Sequence, residues 1–99
     1  MFHCERYVTK GVVAKIPAYL QNVMWYSIET MDVQHKDYIQ VFRLRQTWDD
    51  GMPKQFLIHS QEQPLYHQEY TFSAKHPVKA KVFVIDDGTH STMLLAEEY

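Results

Sequence analysis

Four runs beyond residue 37 alternate apolar and polar residues: 38–45 (YIQVFRLR), 55–61 (QFLIHSQ), 66–72 (YHQEYTF) and 78–85 (VKAKVFVI). Successive side chains on a strand point to opposite faces, so a period of two buries one face of a sheet and suits no helix. The intervening Asp49-Asp50-Gly51, Gln63-Pro64 and Lys75-His76-Pro77 are turn formers. Runs joined by such short reversals predict an antiparallel sheet. Residues 5–9 (ERYVT) read as a further short strand ending near Gly11. Residues 91–95 (STMLL) are compatible with strand or helix, and the short turn-forming gap before them favours a strand.

One segment breaks this rhythm. Pro17 opens a helix where its missing N–H costs nothing, and Ile16, Leu20, Val23, Met24, Ile28 and Met31 recur every three or four residues. His35 and Lys36 suit the negative pole at the end of such a helix. Its apolar stripe needs a surface to cover. The expected fold is α+β, one amphipathic helix packed on an antiparallel sheet of about five or six strands. Ninety-nine residues fit a single globular domain spanning 1–99.

Charge and cysteine usage narrow the function classes. A net charge of −2 gives no bulk attraction to nucleic acid or anionic membrane, although a local basic patch remains compatible with it. Cys4 is the only cysteine, which excludes an internal disulfide and points to a reducing, cytoplasmic location. No apolar run approaches the ~20 residues that span a bilayer, so a membrane role is not expected. The glycines are isolated and form neither a Rossmann nor a P-loop spacing.

The stretch VIDDGTHST, 84–92, concentrates polar chemistry. Asp-Gly is a strong hairpin signal, which makes Asp86-Asp87-Gly88 a turn. The alternative is a metal or acid–base site from Asp86, Asp87 and His90, as in a metal-dependent hydrolase. Neighbouring strand side chains diverge, which argues against convergence of the two acids. His59 and His67 face each other if 55–61 and 66–72 pair with numbers summing to 126, and a one-residue shift pairs His59 with Gln68 instead. Without a third ligand, two surface histidines are the expected outcome. Cys4 lacks a recognisable activating environment and reads as an unreactive, partly buried thiol. No catalytic residue, cofactor or metal is assigned, and enzymatic activity is not the favoured reading.

Two surfaces remain. If 38–45 and 78–85 are neighbours, Arg43, Arg45, Lys79 and Lys81 share one sheet face with Phe83 and form a candidate nucleic-acid surface. Folding 91–98 back would set Glu97 or Glu98 against Lys79 or Lys81 and neutralise that face. On the helix, Trp25 lies about 140° from Leu20 in the company of Gln21, Asn22 and Glu29. That geometry makes Trp25 a candidate anchor for a protein partner or for homodimerisation.

The segments ERYVTKGV, IPAYLQNVMW and KVFVIDDGTHSTMLLAEEY resemble those of the domain of unknown function 960 family, small uncharacterised proteins of Gram-positive bacteria. The likeness runs through the beginning, the helix and the last twenty residues, and the C-terminal run carries most of it. The resemblance implies a small cytosolic bacterial protein, of a kind carried on phage or other mobile DNA. It brings no activity, cofactor or catalytic residue. The leading expectation is a non-enzymatic protein-interaction or regulatory module with a protein partner, and a nucleic-acid-binding domain is the second.

Overall fold

Each alternating run becomes a strand in the computed structural model, which describes residues 2, 3 and 5–99. The reading of Cys4 falls outside the described residues. The elements are β1 (Glu5–Val8), α1 (Lys10–Lys15), α2 (Ala18–Glu29), β2 (Ile39–Asp49), β3 (Met52–Gln61), β4 (Tyr66–Ser73), β5 (Ala80–Asp86) and β6 (His90–Leu95), followed by a 3-10 turn at Ala96–Glu98. They form one six-stranded sheet in the order β1-β6-β5-β2-β3-β4.

The sheet is mixed, which corrects the purely antiparallel expectation. β1 pairs with β6 in parallel, from Glu5↔His90 to Val8↔Met93. Parallel neighbours need a long crossover, and here the whole of α1 to β5 supplies it. The other neighbours are antiparallel. β2 and β3 meet at a two-residue turn in which Asp50 (φ 50°) and Gly51 (φ 78°) both take positive φ. That is the backbone an Asp-Gly hairpin turn requires.

A second, shorter helix precedes the expected one. Thr9 caps α1, its hydroxyl accepting from the Val12 N–H at 3.3 Å, and Val12 is fully buried. Pro17 is the N-cap of α2. The helix stops at Glu29, so His35 and Lys36 lie beyond it in a loop, not at its negative pole. The apolar stripe is where the spacing puts it: Leu20, Met24 and Ile28 are wholly buried in one cluster with Phe42, Leu44, Leu57, Val82, Val84 and Met93 of the sheet.

The strand pattern thus divides the sheet into two faces. Even-numbered residues of β2 and β5 and odd-numbered residues of β3 and β6 form the inner, buried face. The same alternation leaves Arg43 and Arg45, with half-buried Val41, Ile58, Phe83 and Leu94, on the outer face.

Candidate functional site

The outer face gathers the cations of two neighbouring strands. Arg43 stands directly opposite Lys81 in the β2–β5 register, and Arg45 stands opposite Phe56 in the β2–β3 register. The Arg45 guanidinium lies 4.4 Å above the Phe56 ring and the Lys81 ammonium 5.4 Å from the Phe83 ring. Tyr99 meets Phe83 edge-on at 5.5 Å. Lys79 is exposed one residue before β5. Strand pairing therefore brings Arg43, Arg45 and Lys81 onto one surface with two phenylalanine rings.

The expected neutralisation by Glu97 and Glu98 does not occur. After Leu95 the chain turns into its 3-10 segment and carries these acids toward α1. Glu97 pairs with Lys15 at 3.4 Å. Glu98 accepts from the Thr9 hydroxyl at 2.6 Å and from the Leu95 N–H at 2.8 Å. Together with the Gly11 N–H, these donors hold the Glu98 carboxyl below its ordinary pKa, the Thr9 hydroxyl most strongly. Among the described residues, no ion pair involves Arg43, Arg45, Lys79 or Lys81. Like charges set opposite each other across strands repel, and the Arg43–Lys81 pair has no ion-pair partner among the described residues to offset that repulsion.

Trp25 is not part of an open surface. It is 7% exposed, because Arg6 of β1 lays its guanidinium 4.7 Å over the indole. Arg6 is held there by Glu29 at 2.6 Å. Gln21 is half-buried and donates to the Ile16 carbonyl at 2.8 Å, while Asn22 and Glu29 are exposed. The wheel of α2 alone could not reveal this cover, since Arg6 arrives from a strand.

The two histidines also separate. β3 and β4 pair with His59 opposite Gln68 and His67 opposite Ser60, which removes the facing pair. His67 is exposed and contacts Glu69 at 2.8 Å. His59, expected at the surface, is fully buried. It stacks on Phe42 at 4.3 Å and meets the Tyr66 ring edge-on at 5.2 Å.

Its nitrogens belong to a chain of buried polar groups that sequence reasoning missed. The Asp37 N–H fixes Gln61 Oε1 as an acceptor at 2.8 Å, so Gln40 must offer that oxygen its amide nitrogen, at 2.7 Å. Gln40 Oε1 is then left to accept from His59 Nε2–H at 2.7 Å. His59 Nδ1 accepts the Ser27 hydroxyl at 2.6 Å, and Ser27 accepts from Tyr70 at 2.9 Å. Burial, with the nearby Lys36 charge second, pushes the His59 pKa down to about 4. Only the period-two pattern of β3, which alternates Gln55, Leu57, His59 and Gln61 on its inner face, hinted that these polar residues point inward. Ser27 and His59 are 1% and 0% exposed, so their contact ties α2 to the sheet and offers no access to a substrate.

Asp86 and Asp87 diverge as strand alternation requires. Asp86 is buried, where its carboxylate accepts from the Phe2 and Gly88 N–H groups. Asp87 is exposed, and its Oδ1 accepts from the Thr89 N–H and hydroxyl, each at 2.9 Å, and from the His90 N–H at 3.0 Å. These donors, the His90 N–H first, push the Asp87 pKa down to about 2. His90 Nε2 lies 3.2 Å from the other Asp87 oxygen. The cluster builds a turn, Gly88 taking φ 97°. Among the described residues, no three His, Cys, Asp or Glu side chains gather as metal ligands do, and no helix is long and apolar enough to cross a membrane.

Fold and surface together define a small α+β domain built on one mixed sheet, with an apolar core threaded by buried polar groups and cations on its outer face. The chain belongs to the family described as staphylococcal protein of unknown function (DUF960), whose model matches residues 5–98. It is similar to the crystal structure of a protein of unknown function from Enterococcus faecalis, with 26% identity and a TM-score of 0.77. That similarity covers 97% of this chain and 91% of the other. No curated protein shows a significant match.

Proposed function

We propose that this chain is a non-enzymatic binding module whose outer sheet face engages single-stranded nucleic acid. The observation that carries this reading is the Arg43–Lys81 juxtaposition, without an ion pair among the described residues while Glu97 and Glu98 are engaged at α1. Cations side by side favour an anionic ligand, since a phosphate relieves the repulsion that either residue feels from the other. Phe56 and Phe83, each beside a cation, add rings on which bases stack without regard to sequence. The net charge of −2 predicts weak, local and strongly salt-dependent binding, not the steering of a basic protein.

Fluorescence anisotropy with labelled single-stranded RNA and DNA homopolymers tests the reading. Affinity should fall with salt, and Arg43→Ala or Lys81→Ala should each reduce the slope by about one. Phe83→Ala should weaken binding by roughly 1–3 kcal/mol with little change in slope. Absence of binding at low salt, or binding indifferent to all three substitutions, would reject this surface.

A further inference from the structure

The tip of the β2–β3 hairpin exposes apolar side chains that the rest of the domain does not use. Trp48 is 64% and Met52 63% exposed. The open cleft beside them, about 500 Å³, is lined by Met52, Pro53, Lys54, Ser73, Ala74 and Lys75. The same tip carries Asp49 and Asp50, both exposed. Among the described residues, none of these acids or lysines forms an ion pair within the chain.

We infer that this end of the molecule is the contact surface for a second copy of the chain, the acidic tip and Trp48 of each copy seating in the lysine-edged cleft of the other. Three observations select that occupant. The charges are complementary within one patch, acids on the tip and lysines at the cleft. A two-fold axis presents the same patch twice, so such a patch satisfies both halves of the contact at once. The hairpin also overhangs the sheet: β2 keeps pairing with β3 to Asp49↔Met52, whereas its pairing with β5 ends at Leu44↔Ala80. Among the described residues the tip therefore stands clear of β5 and is open to a second copy. The Arg43–Lys81 surface lies on the outer face and is not required for this contact.

A patch of this size is small beside the ~800 Å² per partner of a standard interface, so association should be in roughly the micromolar range or weaker. Analytical ultracentrifugation over concentration should show a monomer–dimer equilibrium that weakens with salt. Trp48→Ala should weaken it roughly 10- to 30-fold, as loss of an interfacial tryptophan anchor does, without lowering the melting temperature. The decisive test is a charge exchange. D49K/D50K and K54E/K75E chains should each be monomeric alone, one cationic and one acidic throughout the patch. Mixed, they should form a heterodimer, because each tip then meets an opposite cleft. A wild-type chain that stays monomeric, self-association unaffected by Trp48→Ala, or a mixture that fails to pair would each overturn the inference. Circular dichroism of each variant establishes that it is folded before it is scored.

Discussion

Ser27 Oγ lies 2.6 Å from His59 Nδ1, helix donating to strand across the buried interior. In this direction the bond needs neutral His59, because Nδ1 can accept the serine proton only while it carries none itself.

Acid should therefore destabilise the fold in a defined window. The folded-state pKa of His59 is pushed down to about 4 from 6.5, so between these values the unfolded chain binds a proton that the folded chain excludes. Stability is full above pH 6.5, falls as pH drops toward 4 and levels below it for this group, a total of about 3 kcal/mol. Urea unfolding at a series of pH values measures the slope. His59→Gln should remove it, and Ser27→Ala, which strands Nδ1 and Tyr70, should cost about 1–3 kcal/mol at neutral pH.

Trp25 is core. Truncation to Ala should cost about 3–5 kcal/mol by thermal or chemical unfolding, the penalty of emptying a buried aromatic site. Arg6→Ala, which strips the guanidinium from above the ring, should cost no more than about 1 kcal/mol, since its ion pair with Glu29 is solvent-exposed. Equal costs for the two would mean that the indole contributes nothing beyond its lid.

Gly11 and Glu98 should be energetically coupled. A Cβ on Gly11 would meet the Glu98 carboxylate at 2.7 Å, and that carboxylate is tethered to Thr9 and Leu95. In a Glu98→Ala background, Gly11→Ala should stabilise the helix by up to about 1 kcal/mol, the ordinary gain in propensity. In the wild-type chain the gain should vanish or reverse. A double-mutant cycle reads the difference directly.

Asp87→Asn should leave the 86–90 turn intact, because the amide oxygen can accept the bonds that Oδ1 now takes. The wild-type carboxyl is pushed down from 3.8 to about 2, so it contributes stability above pH 3.8 that is lost as pH falls toward 2. In Asp87→Asn that part of the acid transition should be missing, while the His59 part remains.

The strands were legible because alternation is local: each run reports its own inner face, as the burial of Phe42, Leu44, Val82 and Val84 shows. The stripe of α2 was legible for the same reason. What escaped were consequences of contacts distant in sequence. Thr9 caps α1 with help from Glu98, 89 residues away, and no pattern within KGVVAK announces a helix against the pull of two valines. Trp25 is covered by Arg6 from another element. The His59–His67 alignment failed by a single residue of register, which the turn residues alone do not determine. Glu97 and Glu98 missed the lysines because the chain leaves the sheet after Leu95. Of the candidate site, the sharing of one face by Arg43 and Lys81 was readable; its lack of an ion pair among the described residues was not.

The parallel pairing of β1 with β6 also sets an order of events. Glu5 meets His90 across 85 residues of chain, whereas β2, β3 and β4 are joined by adjacent hairpins. Closing a loop costs more entropy the longer it is, so contacts close in sequence form before distant ones repay them. The three-stranded meander should assemble first, β5 and β6 should extend it along β2, and β1 should dock last. Truncating side chains in β1 should therefore quicken unfolding and leave the refolding rate nearly unchanged.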